Sequence, residues 1–424
     1  MRFYYELKRV LSMVGTPGWL LLGYYIVQIV FARNKSDVTA VDGSAMVFAS
    51  YALGAGFYCF NDLRKDAFSK KYFSLLLNHT CIKWFVVYTI ICGISAFWSI
   101  EFMLSAYRAV ECLGMMLLNA AVIKNLVKTF DEEGIMLWSV TYAFVMMLFC
   151  VISYSRSGMA MMLYYMQFPS TIFFYLIFYF APKKIMKYPM MLIALACKST
   201  TGYIGMTMGM CSLMFGNLKY RKYGFVVAIL LIGTVAALGV DGLLNNTIFA
   251  SKGGVAIEGG EFNFDKKQTS GRSEIWGPAI SEVIAAGREW YGFGFVAGET
   301  YFVQNVIGGQ VIGMHNGFLS AFVGTGIFGL IAFTLFFLGY IISVFKNKVA
   351  KRYKSLLIAA SCLVLMHTLG NPGLGFRVYG TWMPAMFFVM LTQGLNIKTR
   401  YLNGYQPPLT IRTSKTSRMS VERL

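Results

Sequence analysis

Of the 424 residues, 57% are hydrophobic and only 13% are charged, about half the charged share usual in a soluble globular chain. A soluble enzyme of two or three domains is thereby excluded, and repeated long apolar runs point to a polytopic membrane protein. The net charge of +19 would suggest nucleic acid in a soluble chain; here lysine and arginine sit in short clusters between apolar runs, the pattern that encodes membrane orientation, and no nucleic-acid partner is expected.

Arg2, Lys8 and Arg9 precede the first apolar run. No small-residue cleavage site follows Val30-Phe31-Ala32, so a retained first helix is expected rather than a removed signal peptide. A span needs about 20 mostly apolar residues. The candidates in chain order are 14–32, 44–60, 82–100, 102–123, 135–152, 158–180, 225–240, 317–345, 355–369 and 381–395. The stretch 189–216 is apolar on both sides of Lys198-Ser199-Thr200-Thr201-Gly202 and is bracketed by basic loops. If both basic loops are cytoplasmic it must cross and return, as two short broken helices, and such backbone is tolerated only where protein or a wet cavity surrounds it.

The expected fold is therefore all-α and polytopic, with about 12 transmembrane helices and one long extracytoplasmic loop. Residues 1–240 hold helices one to nine, 241–316 the loop, 317–395 helices ten to twelve, and 396–424 a basic tail. With both termini cytoplasmic, 26 of the 38 lysines and arginines fall inside and 10 outside, which places the 241–316 loop outside. Within that loop Trp276–Ala286 carries Ala279, Ile280, Val283 and Ile284 at helical spacing, a helix suited to the membrane surface. The tail from Tyr401 is polar and basic, expected to be disordered and to meet anionic lipid.

The eight cysteines lie in or beside apolar spans and form no disulfide framework and no Cys-x-x-Cys metal pair. The chain lacks an Asp-x-Asp metal motif and a phosphate-binding Gly-x-x-x-x-Gly-Lys-Ser/Thr loop. No metal and no cofactor are expected. Arg108 and Glu111, three residues apart on one span, are read as a structural ion pair.

Chemistry collects on the outer side. Arg156, Lys198, Arg272, Arg288 and Arg377 are cations kept there against positive-inside pressure, which suggests an anionic ligand such as a lipid diphosphate. Arg288, beside Glu289, is better explained by pairing with an acid or by meeting lipid headgroups. His315, at the entry to a helix, suits proton transfer at ordinary pH; a capping or interfacial role fits it equally, with Asn316 as the cap proper. The glycines after it, Gly317, Gly324, Gly326 and Gly329, suit close helix packing. His367 sits near the outer end of a span, where either function or a hydrogen bond to a neighbouring helix would account for it.

The order Gly271-Arg272-x-x-x-Trp276, Gly292-x-Gly294 and His315-Asn316, followed after nine residues by Gly326-Ile327-Phe328-Gly329, resembles the signature of the bacterial O-antigen ligase and O-antigen or exopolysaccharide polymerase superfamily. Arg156-Ser157-Gly158 is similar to the family's Arg-x-Gly; Lys198-Ser199 stands where members often carry Ser-Arg. The resemblance implies a metal-independent glycosyltransferase of the inner membrane that polymerises undecaprenyl-diphosphate-linked repeats at the outer face. A ligase moving the finished glycan to a lipid A core or protein fits the same signature. By the same resemblance His315 and Arg272 would be catalytic, and Arg156, Lys198, Arg272 and Arg377 would bind the diphosphate. Asn316, Trp276 and His367 would support them. The implied partners are the lipid-linked donor, a glycan acceptor, membrane lipid, a chain-length regulator and a flippase. A transporter of lipid-linked glycan is the rival from another class.

Overall fold

The computed structural model describes residues 14–31, 43–154, 159–180, 206–212, 272–305, 314, 316–370, 373–375, 378 and 382–402, some of them by backbone only. The span expected over 225–240, most of 189–216 and the loop from 241 to 271 lie outside these residues.

The described chain is helical, with no strand. In order come α1 (Thr16–Phe31), α2 (Gly43–Asp62), α3 (Ala67–Asn78), α4 (Thr80–Ile94), a 3-10 turn (Ser95–Trp98), α5 (Phe102–Thr129), α6 (Glu132–Tyr154) and α7 (Met159–Phe180). After them follow α8 (Arg272–Ala285), α9 (Ala297–Asn305), α10 (Gly317–Lys346), α11 (Lys351–Gly370), the 3-10 turn Gly373–Gly375 and α12 (Trp382–Tyr401). Five described segments are long and apolar enough to cross a membrane: Thr80–Trp98, Phe102–Thr129, Glu132–Ser153, Gly317–Lys346 and Tyr353–Gly370. Helices suit that solvent because they satisfy their own backbone polar groups. The protein is thus a multi-pass helical membrane protein.

One polar loop of the sequence reading holds a helix instead. Most of α3 follows the basic cluster at 61–71. Asp66 caps it, its Oδ1 accepting the Ser69 amide at 2.7 Å. Only Ser69, Tyr72 and Leu76 are buried along it, a stripe that seats the helix but is too narrow for a span.

Small residues set the closest helix crossings. A Cβ on Gly56 of α2 would lie 2.9 Å from the Gly114 Cα of α5, and one on Gly114 would lie 2.3 Å from the Ala52 carbonyl oxygen. Ala52 and Gly56 are spaced i, i+4, the small-xxx-small pattern that lets backbones approach. Gly339 plays the same part between α10 and α4, where a Cβ would meet the Cys81 backbone at 2.8 Å. Aromatic rings fill the wider gaps, Phe85 against Phe336 at 4.8 Å and Tyr142 against Phe387 at 4.1 Å between centroids. The seven described cysteines are free thiols, five of them buried, as their apolar setting implies.

The expected ion pair on α5 is present: Arg108 Nη1 lies 2.7 Å from Glu111 Oε2, with the guanidinium 4.3 Å over the Tyr107 ring. One turn earlier, Ser105 begins the contacts that hold the candidate site.

Candidate functional site

α8 ends in a glycine cap. Gly287 takes φ +63°, its amide donates to the Ile284 carbonyl at 2.9 Å, and the Arg288 amide donates to Val283 at 2.9 Å. These two bonds are a Schellman closure, which only a residue tolerant of positive φ closes without strain. The chain then turns through Gly292 and Gly294, at φ +69° and +105°. Val296 follows at φ +65°, a left-handed conformation that is strained for a β-branched residue.

This turn docks into a break in α10. Gly326 sits at φ +68°, ψ −163°, so the helix is interrupted and neighbouring backbone groups are released. The turn satisfies them. The Phe293 and Gly294 amides donate to the Val323 and Gly324 carbonyls at 2.9 Å each, and the Ile327 amide donates to the Glu289 carbonyl at 2.8 Å. Backbones meet so closely that a Cβ on Gly292 would lie 2.6 Å from Gly324 C, and one on Gly326 would lie 2.3 Å from Trp290 C. Gly326 is therefore a break point that receives a loop, where the sequence suggested only a small residue in a continuous helix.

The other side of the turn is held by the α4–α5 junction. Ser105 Oγ donates to the Phe295 carbonyl at 2.7 Å, the Phe295 amide donates to Ser95 Oγ at 2.9 Å, and Trp98 Nε1 donates to the Tyr291 carbonyl at 2.8 Å. Arg288 donates to the Trp98 carbonyl at 3.3 Å and lies 4.9 Å over the Phe293 ring. Among the described residues no acid pairs with it, one of the two roles expected for it.

A small second core sits above this interlock: Ala279 and Val283 from α8, Phe293 from the turn, Phe302 from α9, Met314, and Val323 from α10. Met314 is its anchor. Trp276 Nε1 donates to the Met314 carbonyl at 2.8 Å, and the Met314 amide donates to Glu299 Oε1 at 2.7 Å. Asn316 caps α10, its Oδ1 accepting the Phe318 and Leu319 amides at 2.9 and 3.1 Å. On the outward side of α8, Ile280 and Ile284 are exposed, as are Trp290, Tyr291 and Phe328 nearby. Such an apolar surface beside a membrane bundle suits the lipid interface.

Of the residues singled out from sequence, Arg272 opens α8 and Trp276 lies one turn further on; the Arg272 side chain is outside the described residues. His315 is outside them too, but both its neighbours in the chain, Met314 and Asn316, are anchored as above. Arg156, Lys198 and Arg377 also lie outside. Gly375, two residues before Arg377, presses on Gly317, where a Cβ would lie 2.0 Å from the carbonyl oxygen. Tyr88 Oη donates to the Gly375 carbonyl at 2.8 Å, and Tyr24 Oη donates to the Val378 carbonyl at 3.4 Å. Gly375 and Gly317, each two residues along the chain from Arg377 and His315 respectively, are thus packed together. His367 is buried in α11 with its ring edge-on to Phe168 of α7 at 5.1 Å, a place in helix packing. Glu299, Ser95 and Ser105 were not singled out by the sequence; Glu299 is one of several loop glutamates, with nothing local to distinguish it.

A comparison with curated proteins finds no match. Residues 188–334, which include α8, the glycine turn, α9, the Met314–Asn316 anchor and the break in α10, match the family model described as O-antigen ligase. On that match this membrane protein carries a region of the O-antigen ligase and polymerase superfamily, the family its motifs resemble.

Proposed function

We propose that the protein is a glycosyltransferase that polymerises undecaprenyl-diphosphate-linked oligosaccharide repeats into a surface polysaccharide at the outer face of the bacterial inner membrane. The family match supports a glycan-handling membrane enzyme. The observation that carries the reading further is the double anchoring around His315: Trp276 and Glu299 grip Met314 on one side, and Asn316 caps α10 on the other. A group that must meet a substrate within hydrogen-bond reach profits from such pre-organisation.

In this reading His315 takes the proton of the acceptor hydroxyl as its oxygen attacks the anomeric carbon of the donor. The bond from that carbon to the diphosphate oxygen breaks, its electron pair leaves on the diphosphate, and the configuration inverts. Arg272, with Arg156, Lys198 and Arg377, faces the charge that develops. Charge-assisted hydrogen bonds contribute about 1.5–3 kcal/mol each, so two or three supply a large share of the ~8–23 kcal/mol typical of enzymes. No metal takes part. A flippase that delivers the donor and a chain-length regulator are the partners this reaction calls for, and both termini face the cytoplasm.

The family model's description favours a second reading, a ligase that transfers the finished glycan. The test uses purified protein in lipid with a synthetic undecaprenyl-diphosphate repeat unit in EDTA. A ladder of longer lipid-linked glycans with release of undecaprenyl diphosphate is expected, falling by about 10² or more in His315→Ala. Release without a ladder would favour the ligase. No release from several repeat units would overturn both in favour of a transporter.

A further inference from the structure

The turn after α2 and the helix α3 form a concave seat remote from the Gly292–Gly294 turn in the chain. It is an open hollow of about 490 Å³, lined by Arg64, Lys70, Phe73, Ser74, Leu77 and Asn78. The five α3 residues follow helical spacing and make one continuous face, beside the stripe of Ser69, Tyr72 and Leu76 that packs inward. Arg64 is set on the rim by its guanidinium, 5.2 Å over the Phe60 ring, and that ring meets Phe73 edge-on at 6.0 Å. Two cations thus flank an aromatic floor.

The charge here is not balanced by the neighbouring acids. Asp62 is matched by Lys124 at 2.6 Å and Asp66 by Lys128 at 2.9 Å. Arg64, Lys65, Lys70 and Lys71 stand exposed, with no carboxylate against them among the described residues. Below the seat, α2 turns an apolar stripe outward at helical spacing: Met46, Leu53 and Phe57 are 59%, 58% and 71% exposed. Arg64 lies two residues beyond the C-terminal end of this helix.

We propose that this seat binds one anionic phospholipid, its phosphodiester between Arg64 and Lys70 and an acyl chain along Met46, Leu53 and Phe57. The occupant must be an amphiphile, because the cations follow the helix that carries the apolar stripe, Arg64 in the turn just beyond the end of α2 and Lys70 on α3. A soluble phosphate would use only the rim, and a zwitterionic lipid brings its own cation to a site that already holds two.

The test is native mass spectrometry of the full-length protein in detergent, titrated with phosphatidylglycerol. Arg64→Gln with Lys70→Gln is expected to weaken the first bound lipid about tenfold or more, and Phe57→Ser to weaken it separately. Lys348→Gln, an exposed cation outside the seat, is expected to leave it unchanged. All these positions are exposed, and unchanged thermal midpoints would establish that the variants fold; Lys70→Gln alone serves if the double variant does not. Undiminished binding in the variants, an equal loss in Lys348→Gln, equal binding of phosphatidylcholine, or displacement of the lipid by glycerol phosphate would each overturn the proposal.

Discussion

Gly326 combines two constraints that usually occur apart. Its φ of +68° with ψ of −163° disfavours any residue with a Cβ, by about 1–3 kcal/mol, and its Cβ position is already filled by the Trp290 backbone. Gly326→Ala should therefore lower stability by about 2 kcal/mol or more and abolish transfer, because the loop would be pushed off α10. Gly54→Ala is the control: nothing lies within 4 Å of its added Cβ, and a helical alanine should raise stability by up to about 1 kcal/mol. Thermal unfolding in detergent compares the two. Glu299 invites a subtler exchange. Glu299→Ala leaves the buried Met314 amide without its acceptor and should cost about 1–3 kcal/mol. Glu299→Gln keeps an oxygen for it, so transfer should recover most of its rate; activity equally low in both variants would show that the charge, rather than the hydrogen bond, matters.

Among the described elements, α2 and α5 cross closely, and two glycines with Ala52 permit it. Gly114→Leu would drive a side chain into the Ala52 carbonyl, only 2.3 Å from a Cβ there. Helix separation should follow, with a loss of about 1–3 kcal/mol or more, read as a lowered midpoint of unfolding. α10 shows the opposite use of glycine. Its first three turns and its remainder are one apolar run in sequence, yet the break at Gly326 lends backbone groups to a distant turn. A helix interrupted at membrane depth is admissible only because protein fills the gap, and here the segment 289–296 does so.

For the whole molecule, sidedness is the outstanding prediction. From the lysine and arginine distribution the 241–316 loop is expected outside and the basic tail inside. In a background with the native cysteines replaced by serine or alanine, Glu258→Cys should react with a membrane-impermeant maleimide in intact cells. Lys415→Cys should react only after permeabilisation. The opposite labelling would invert the arrangement and remove the candidate site from the outer face.

What the sequence determined by itself is local. Apolar runs of span length become helices because each satisfies its own backbone, so α4, α5, α6, α10 and α11 fall where hydropathy puts them. Arg108 and Glu111 pair because three residues separate them on one helix, and Asn316 caps α10 because it immediately precedes it. The surface helix followed its 3.6-residue period to within a turn. The tertiary structure decided what depends on separation along the chain. Ser105 reaches Phe295 across 190 positions and Tyr88 reaches Gly375 across 287, and no periodicity records either. The Gly292–Gly294 turn and the Gly326 break stand out in the sequence only as glycines of a motif, and their docking on each other does not, because a glycine's role is set by the backbone that comes against it. Glu299 became an anchor of Met314 for the same reason: a hydrogen bond between loop residues is specified by the packing around both, not by the spacing between them.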